Sequence, residues 1–134
     1  MIDIENQVFQ AVATAFRAAY PNGFIAGEYV AQPPKFPAVS VVEMDNSVYQ
    51  RGVDSGSIEN FANVMYQVDI YSNKASGKKA QCKAIAALID EQFAALGLVR
   101  SFMNPVQNIN DATVYRMTGR YRGVVDKNQT VYGR

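Results

Sequence analysis

ENFANVMYQVDIYSNKASGKKAQCKAIAALIDEQFAALG, from Glu59 to Gly97, changes its hydrophobic period once, and that change decides the fold. Val64, Tyr66, Val68 and Ile70 alternate with Asn63, Gln67 and Asp69, so an extended segment gains one apolar and one largely polar face. Beyond the break at Ser72-Asn73-Lys74-Ala75-Ser76-Gly77, apolar residues recur at helical spacing through Cys82, Ile85, Leu88, Ile89, Phe93 and Leu96. Gly97 then supplies the stop. A half-buried strand feeds a long amphipathic helix, and neither carries a catalytic motif. This is the organisation of a structural or binding domain.

Toward the N-terminus, Ile4 to Tyr20 reads as a second amphipathic helix. Ile4, Val8, Ala11, Val12, Ala15, Phe16 and Ala19 lie on one side, Asp3 is its expected N-cap and Pro21-Asn22-Gly23 ends it. Phe24 to Val30 is expected as a short strand, Pro33, Pro34 and Pro37 as a stiff extended connection, and Ala38 to Met44 as a buried strand. Asp45 to Ser57 is too polar for core and too long for a tight turn. It reads as a projecting arm or hairpin loop, with Val48, Tyr49 and Val53 forming its tip or short flanking strands. Toward the C-terminus, strands are expected over Leu98 to Met103, bounded by Asn104-Pro105, and over Ala112 to Asp126. A turn at Lys127-Asn128-Gln129 leads to a last strand at Thr130 to Tyr132. The plan is an alternating α+β one, in one domain spanning 1–134.

Composition agrees, since 134 residues suit one domain with a real core and an apolar content of 49% is that of a chain that folds. No apolar run approaches the roughly 18 residues of a membrane span, and Asp3 and Glu5 replace the basic start of a signal peptide, so a cytoplasmic protein is expected. Cys82, the only cysteine, cannot form an internal disulfide and falls on the apolar stripe of its helix, where a small buried role is expected. Histidine is absent, which excludes Ser-His-Asp and Cys-His catalysis and histidine-bearing metal sites. The carboxylates read as scattered: Asp90 and Glu91 diverge on a helix, and Asp45, Asp54 and Asp69 lie in different settings. Gly77-Lys78-Lys79 lacks the first glycine of a phosphate-binding loop and has Lys79 in place of the metal-binding hydroxyl. No catalytic, cofactor-binding or metal-ligating residue is expected.

Charge is distributed unevenly. Residues 1–70 hold three basic and eight acidic side chains, whereas 71–134 hold ten basic and four acidic. Opposite patches of this kind allow copies to associate front to back, in rings or filaments. Lys78, Lys79 and Lys83 crowd the first turns of the second helix against its dipole, and Lys79 and Lys83 repel at i,i+4. Either the helix is exposed and tolerant, or these lysines face an acidic neighbour. Arg116, Arg120 and Arg122 share one face of the long strand, opposite Tyr115, Met117, Tyr121 and Val125. The guanidinium stripe reads as a contact for phosphate or an acidic neighbour, or as a solvated face pairing with nearby carboxylates.

These segments carry a family resemblance. Glu59-Asn60, the run Val64 to Asn73, Gly77-Lys78-Lys79, Cys82-Lys83 and Leu96-Gly97 resemble small proteins from the head-to-tail joining genes of long-tailed bacteriophages and prophages. Asp111 to Met117, Gly119-Arg120-Tyr121-Arg122 and Val131-Tyr132-Gly133-Arg134 resemble the same group. The group is that of tail terminator or tail completion proteins, and the element order is similar to that of the lambda tail terminator. The resemblance implies an α+β fold with a mainly antiparallel sheet and two helices, assembling as a hexameric ring. Such a ring caps the tail tube, ends its polymerisation and offers the head a docking surface, and DNA only passes through its lumen. The implied partners are further copies of the chain, the tail tube protein and a head-side connector. The implied location is the head-tail junction of the virion, reached after assembly in the bacterial cytoplasm.

On that reading Tyr49, Arg51, Lys78, Lys79, Lys83, Arg116, Arg120 and Arg122 are the candidates for subunit or tail-tube contacts. Another neck or connector protein is an alternative assignment. A small nucleic-acid-binding domain is a weaker one, because Tyr115 and Tyr121 face away from the arginines and cannot stack bases beside them.

Overall fold

The computed structural model describes residues 1–48, 60–107 and 111–133. Within them the elements follow as α1 (Glu5–Ala19), β1 (Phe24–Ala26), β2 (Ala38–Val48), β3 (Phe61–Ser72), α2 (Lys78–Ala95), β4 (Val99–Val106), β5 (Tyr115–Asp126) and β6 (Val131–Gly133). The strands form a six-stranded sheet in the order β1-β2-β3-β5-β4, with β6 beside β5. Every pairing is antiparallel except that of β1 with β2. The fold is therefore α+β, a mainly antiparallel sheet with two helices, as expected.

The alternating segment became the centre of the sheet because its apolar phase is the one the helices cover. Val64, Tyr66, Val68 and Ile70 of β3 join Val39 and Val41 of β2 and Met117, Tyr121 and Val125 of β5. Against them pack Val8, Val12 and Phe16 of α1 and Cys82, Ile85, Ile89 and Phe93 of α2. Each large side chain so buried contributes roughly 1.5–3 kcal/mol, and the Phe93 ring stacks on Tyr121 at 4.0 Å between centroids. On α1, Ala13 is buried and Ala19 exposed, so the stripe is rotated slightly from the expected one. Ile4, not Asp3, is the cap residue, although the Asp3 carboxylate still accepts the Glu5 N–H at 2.9 Å.

Helix α2 ends as its sequence demands. Gly97 takes φ +87°, its N–H reaches the Ala94 carbonyl at 3.0 Å, and the Leu98 N–H reaches the Phe93 carbonyl at 3.0 Å. This is a Schellman motif, which satisfies carbonyls the helix leaves open. Cys82 is buried with its Sγ 3.9 Å from the Ile70 carbonyl oxygen and 3.6 Å from that of Tyr115. Burial pushes its thiol up to about 12. The folded protein is therefore expected to resist iodoacetamide at mildly alkaline pH while the denaturant-unfolded chain is fully alkylated, which intact mass measures directly.

Several boundaries differ from the sequence expectations. β1 stops at Ala26 instead of Val30, because only three residues pair with β2 before the chain turns away at Gly27. β2 runs on through Asp45 to Val48, paired with Met65 to Ala62, so the first residues of the supposed arm belong to the sheet. The remainder of that arm, including Tyr49 and Val53, lies outside the described residues. β4 continues through Asn104 and Pro105 to Val106. It is an edge strand, where proline's missing N–H is tolerated. Among the described residues no helix is long and apolar enough to cross a membrane.

Candidate functional site

The helices cover one face of the sheet. The opposite face carries Met65, Gln67, Asp69 and Tyr71 of β3, in register with Arg122, Arg120, Thr118 and Arg116 of β5. The arginine stripe therefore exists on the face expected for it, but its members differ. Arg116 donates from Nε and Nη2 to one oxygen of Asp69 at 3.0 and 2.7 Å, and its guanidinium lies 5.5 Å from the centre of the Tyr71 ring. Thr118 Oγ1 donates to the same oxygen, and Gln67 Nε2 donates to the other at 3.1 Å. Arg120 Nε in turn donates to Gln67 Oε1 at 3.0 Å. Burial opposes the Arg116 charge, but the hydrogen bonds to Asp69 and its attraction outweigh that, so its pKa rises.

Asp69 is 0% exposed although it belongs to the largely polar phase of β3. At its end of that face, Tyr71 of β3 forms a small cluster with Ala38 and Val114, against which Phe24 and Phe36 pack. The buried carboxylate pairs Arg116 within the chain, in line with the alternative that the stripe pairs with nearby carboxylates. Arg122 is the exposed member of the stripe and borders a concavity with Asp45, Asn63 and Met65. Arg120 lies between these extremes, half-buried.

The lysine cluster also divides. Lys78 Nζ donates to the Thr113 carbonyl at 3.1 Å. Asp111 beside it has its carboxyl held below the ordinary range by hydrogen bonds from the Thr113 side chain and backbone, with a smaller contribution from Lys78. Lys79 and Lys83 are exposed, and among the described residues neither has an acidic partner. Gly77 caps the helix at φ +86° without a side-chain bond, so the opening turn has no anionic group to offset the three lysines. Tyr49 and Arg51 lie outside the described residues.

One convergence was not legible in sequence. Asp3, Glu5 and Glu43 bring carboxylate oxygens within 4.8 Å of one another, so the carboxylates are not all scattered. The first turn of α1 lies over β2 at the point where Glu43 occupies an inward position beside Tyr66. Tyr66 donates its hydroxyl to Glu43 at 3.1 Å, and burial first, then the Glu43 charge, raises the tyrosine pKa. Glu43 is itself raised, by burial above all and then by Glu5 and Asp3. Three carboxylates could offer oxygens to a hard cation, yet Asp3 and Glu43 already accept protein donors. Next to them a cavity of about 380 Å³ opens between α1 and the β1–β2 side of the sheet, lined by Glu5, Asn6, Phe9, Glu28, Val41 and Tyr66 among others. The signal that could have revealed it is Glu43 itself, an acid on the apolar phase of a buried strand.

The sequence matches no protein-family model and no curated protein. Among solved structures, the chain is similar to one in the virion of a native gene transfer agent particle, at a TM-score of 0.61 and 16% identity over 91% of each chain. At this identity the likeness is one of fold, and it places the two-helix, mainly antiparallel sheet beside a chain that is itself part of a virion particle.

Proposed function

We propose that the chain is a structural component of a phage or prophage virion, a ring-forming tail terminator that caps the tail tube, ends its growth and presents a surface to the head. The observation that carries this reading is the fold shared over 91% of the chain with a component of a gene transfer agent virion. The resemblance of Glu59 to Arg134 to head-to-tail joining proteins supports the finer assignment. Oppositely charged halves suit heterologous contacts that close into a ring. The reading requires no catalysis: the chain works by what it touches, namely its own copies, the tail tube protein and a head-side connector. DNA passes without being gripped, in keeping with an arginine stripe whose first member is bound to Asp69.

Native mass measurement and negative-stain imaging of the purified protein test it. The expected result is a hexameric ring, or a monomer that becomes one on tail tubes. A protein that forms no ring, alone or on tail tubes, overturns it, as does a stable monomer that shifts duplex or single-stranded DNA at physiological salt.

A further inference from the structure

The 380 Å³ cavity has a definite chemistry. Phe9, Val41 and Tyr66 with Ala26 and Gly27 give it an apolar lining, Glu5 and Glu28 supply charge, and among the described residues no basic side chain lines it. Asp3 and Glu43 add two further carboxylates beside Glu5. An apolar floor under an acidic rim fits a long aliphatic stem ending in a cation, the stem lying on the rings and the head among the carboxylates. Lysine and arginine have that shape.

The chain carries a matching element on α2, which is not among the elements that line this cavity. Lys79 and Lys83 project from the first two turns of α2, one helical turn apart, exposed and without an acidic partner among the described residues. Helix α2 packs beside α1 and on β3, β5 and β4, whereas the cavity lies between α1 and the β1–β2 side of the sheet. The surplus positive charge and the surplus negative charge therefore sit on different elements of one molecule.

We infer that the groove between α1 and the β1–β2 edge receives the Lys79–Lys83 face of α2 from a second copy of this chain. Each copy then gives one helix and receives one, a heterologous contact that propagates around a ring. The inference rests on the ring-forming reading above and adds to it the two surfaces that meet. It also gives the helix a reason for lysines at its positive end: the repulsion is relieved in the assembly by a neighbour's carboxylates.

Reciprocal charge reversal tests it. One variant carries Glu5→Lys and Glu28→Lys, the other Lys79→Glu and Lys83→Glu. All four positions are exposed, and circular dichroism checks that both variants fold. By sedimentation velocity, each variant alone is expected to associate about a hundredfold more weakly than wild type. An equimolar mixture is expected to recover assembly, because each variant then meets a flank of opposite sign. Single variants that assemble like wild type overturn the inference and leave the ring reading standing. A mixture as dissociated as its components also overturns it. Wild type that forms no ring, alone or on tail tubes, overturns both.

Discussion

Replacing Arg116 by alanine is expected to cost about 3–5 kcal/mol of folding stability, because it strips a buried carboxylate of its half-buried partner. Asp69 is 0% exposed and takes three donors on one oxygen, two of them from Arg116. Without the guanidinium, Thr118 and Gln67 remain as donors to a carboxylate with no countercharge. The packing of Arg116 over Tyr71 is lost as well, and a double-mutant cycle separates the two effects. Arg116→Ala combined with Asp69→Asn removes the stranded charge, so the double variant is expected to be more stable than Arg116→Ala alone. Urea unfolding at fixed protein concentration measures all three. A loss below about 1 kcal/mol for Arg116→Ala would place the pair among exposed bridges of little consequence.

Phe93→Ala is expected to be comparably severe, at about 3–5 kcal/mol. Phe93 is fully buried where α2 meets the sheet, with its ring parallel to Tyr121 within 4° and 6.4 Å from Tyr66. Alanine there leaves a cavity walled by two tyrosines whose hydroxyls are already fixed, Tyr66 to Glu43 and Tyr121 to Asp90 at 2.8 Å. Those bonds hinder the rings from collapsing into the space. Phe93→Leu is expected to cost less, since it fills much of the volume and forfeits mainly the stacking. The urea midpoint is expected to fall without a change of slope, which marks lost stability and not a changed unfolded state.

How much of this was legible in the sequence depended on which interactions are periodic. The apolar phases of β3, β5 and α2 were readable because burial of a face repeats along the chain, and Val64, Tyr66, Ile85, Ile89 and Phe93 all fell where the period put them. The arginine stripe was readable for the same reason. The burial at the Arg116 end of the stripe was not: beside Asp69, Phe24 and Phe36 meet Tyr71 and Val114 in a cluster between segments far apart in sequence. The Asp3–Glu5–Glu43 convergence depends likewise on where α1 lies over β2. Strand ends were misjudged at Asn104-Pro105 because proline is a breaker only in a strand flanked on both sides, and edge position is a property of the sheet.

The two irregularities in the ladder lie on one line. β2 shifts register just beyond Glu43 and β4 just beyond Arg100, and Glu43, Tyr66, Tyr121 and Arg100 form a single row across the sheet. β2, which β1 covers only from Ala38 to Ser40, and the edge strand β4 are thus interrupted at the same level, and β4 carries Pro105 besides. A strand from another molecule seeking to extend the sheet by backbone hydrogen bonds would lose register at this crease from either side. Pairing of a further strand is discouraged along both stretches.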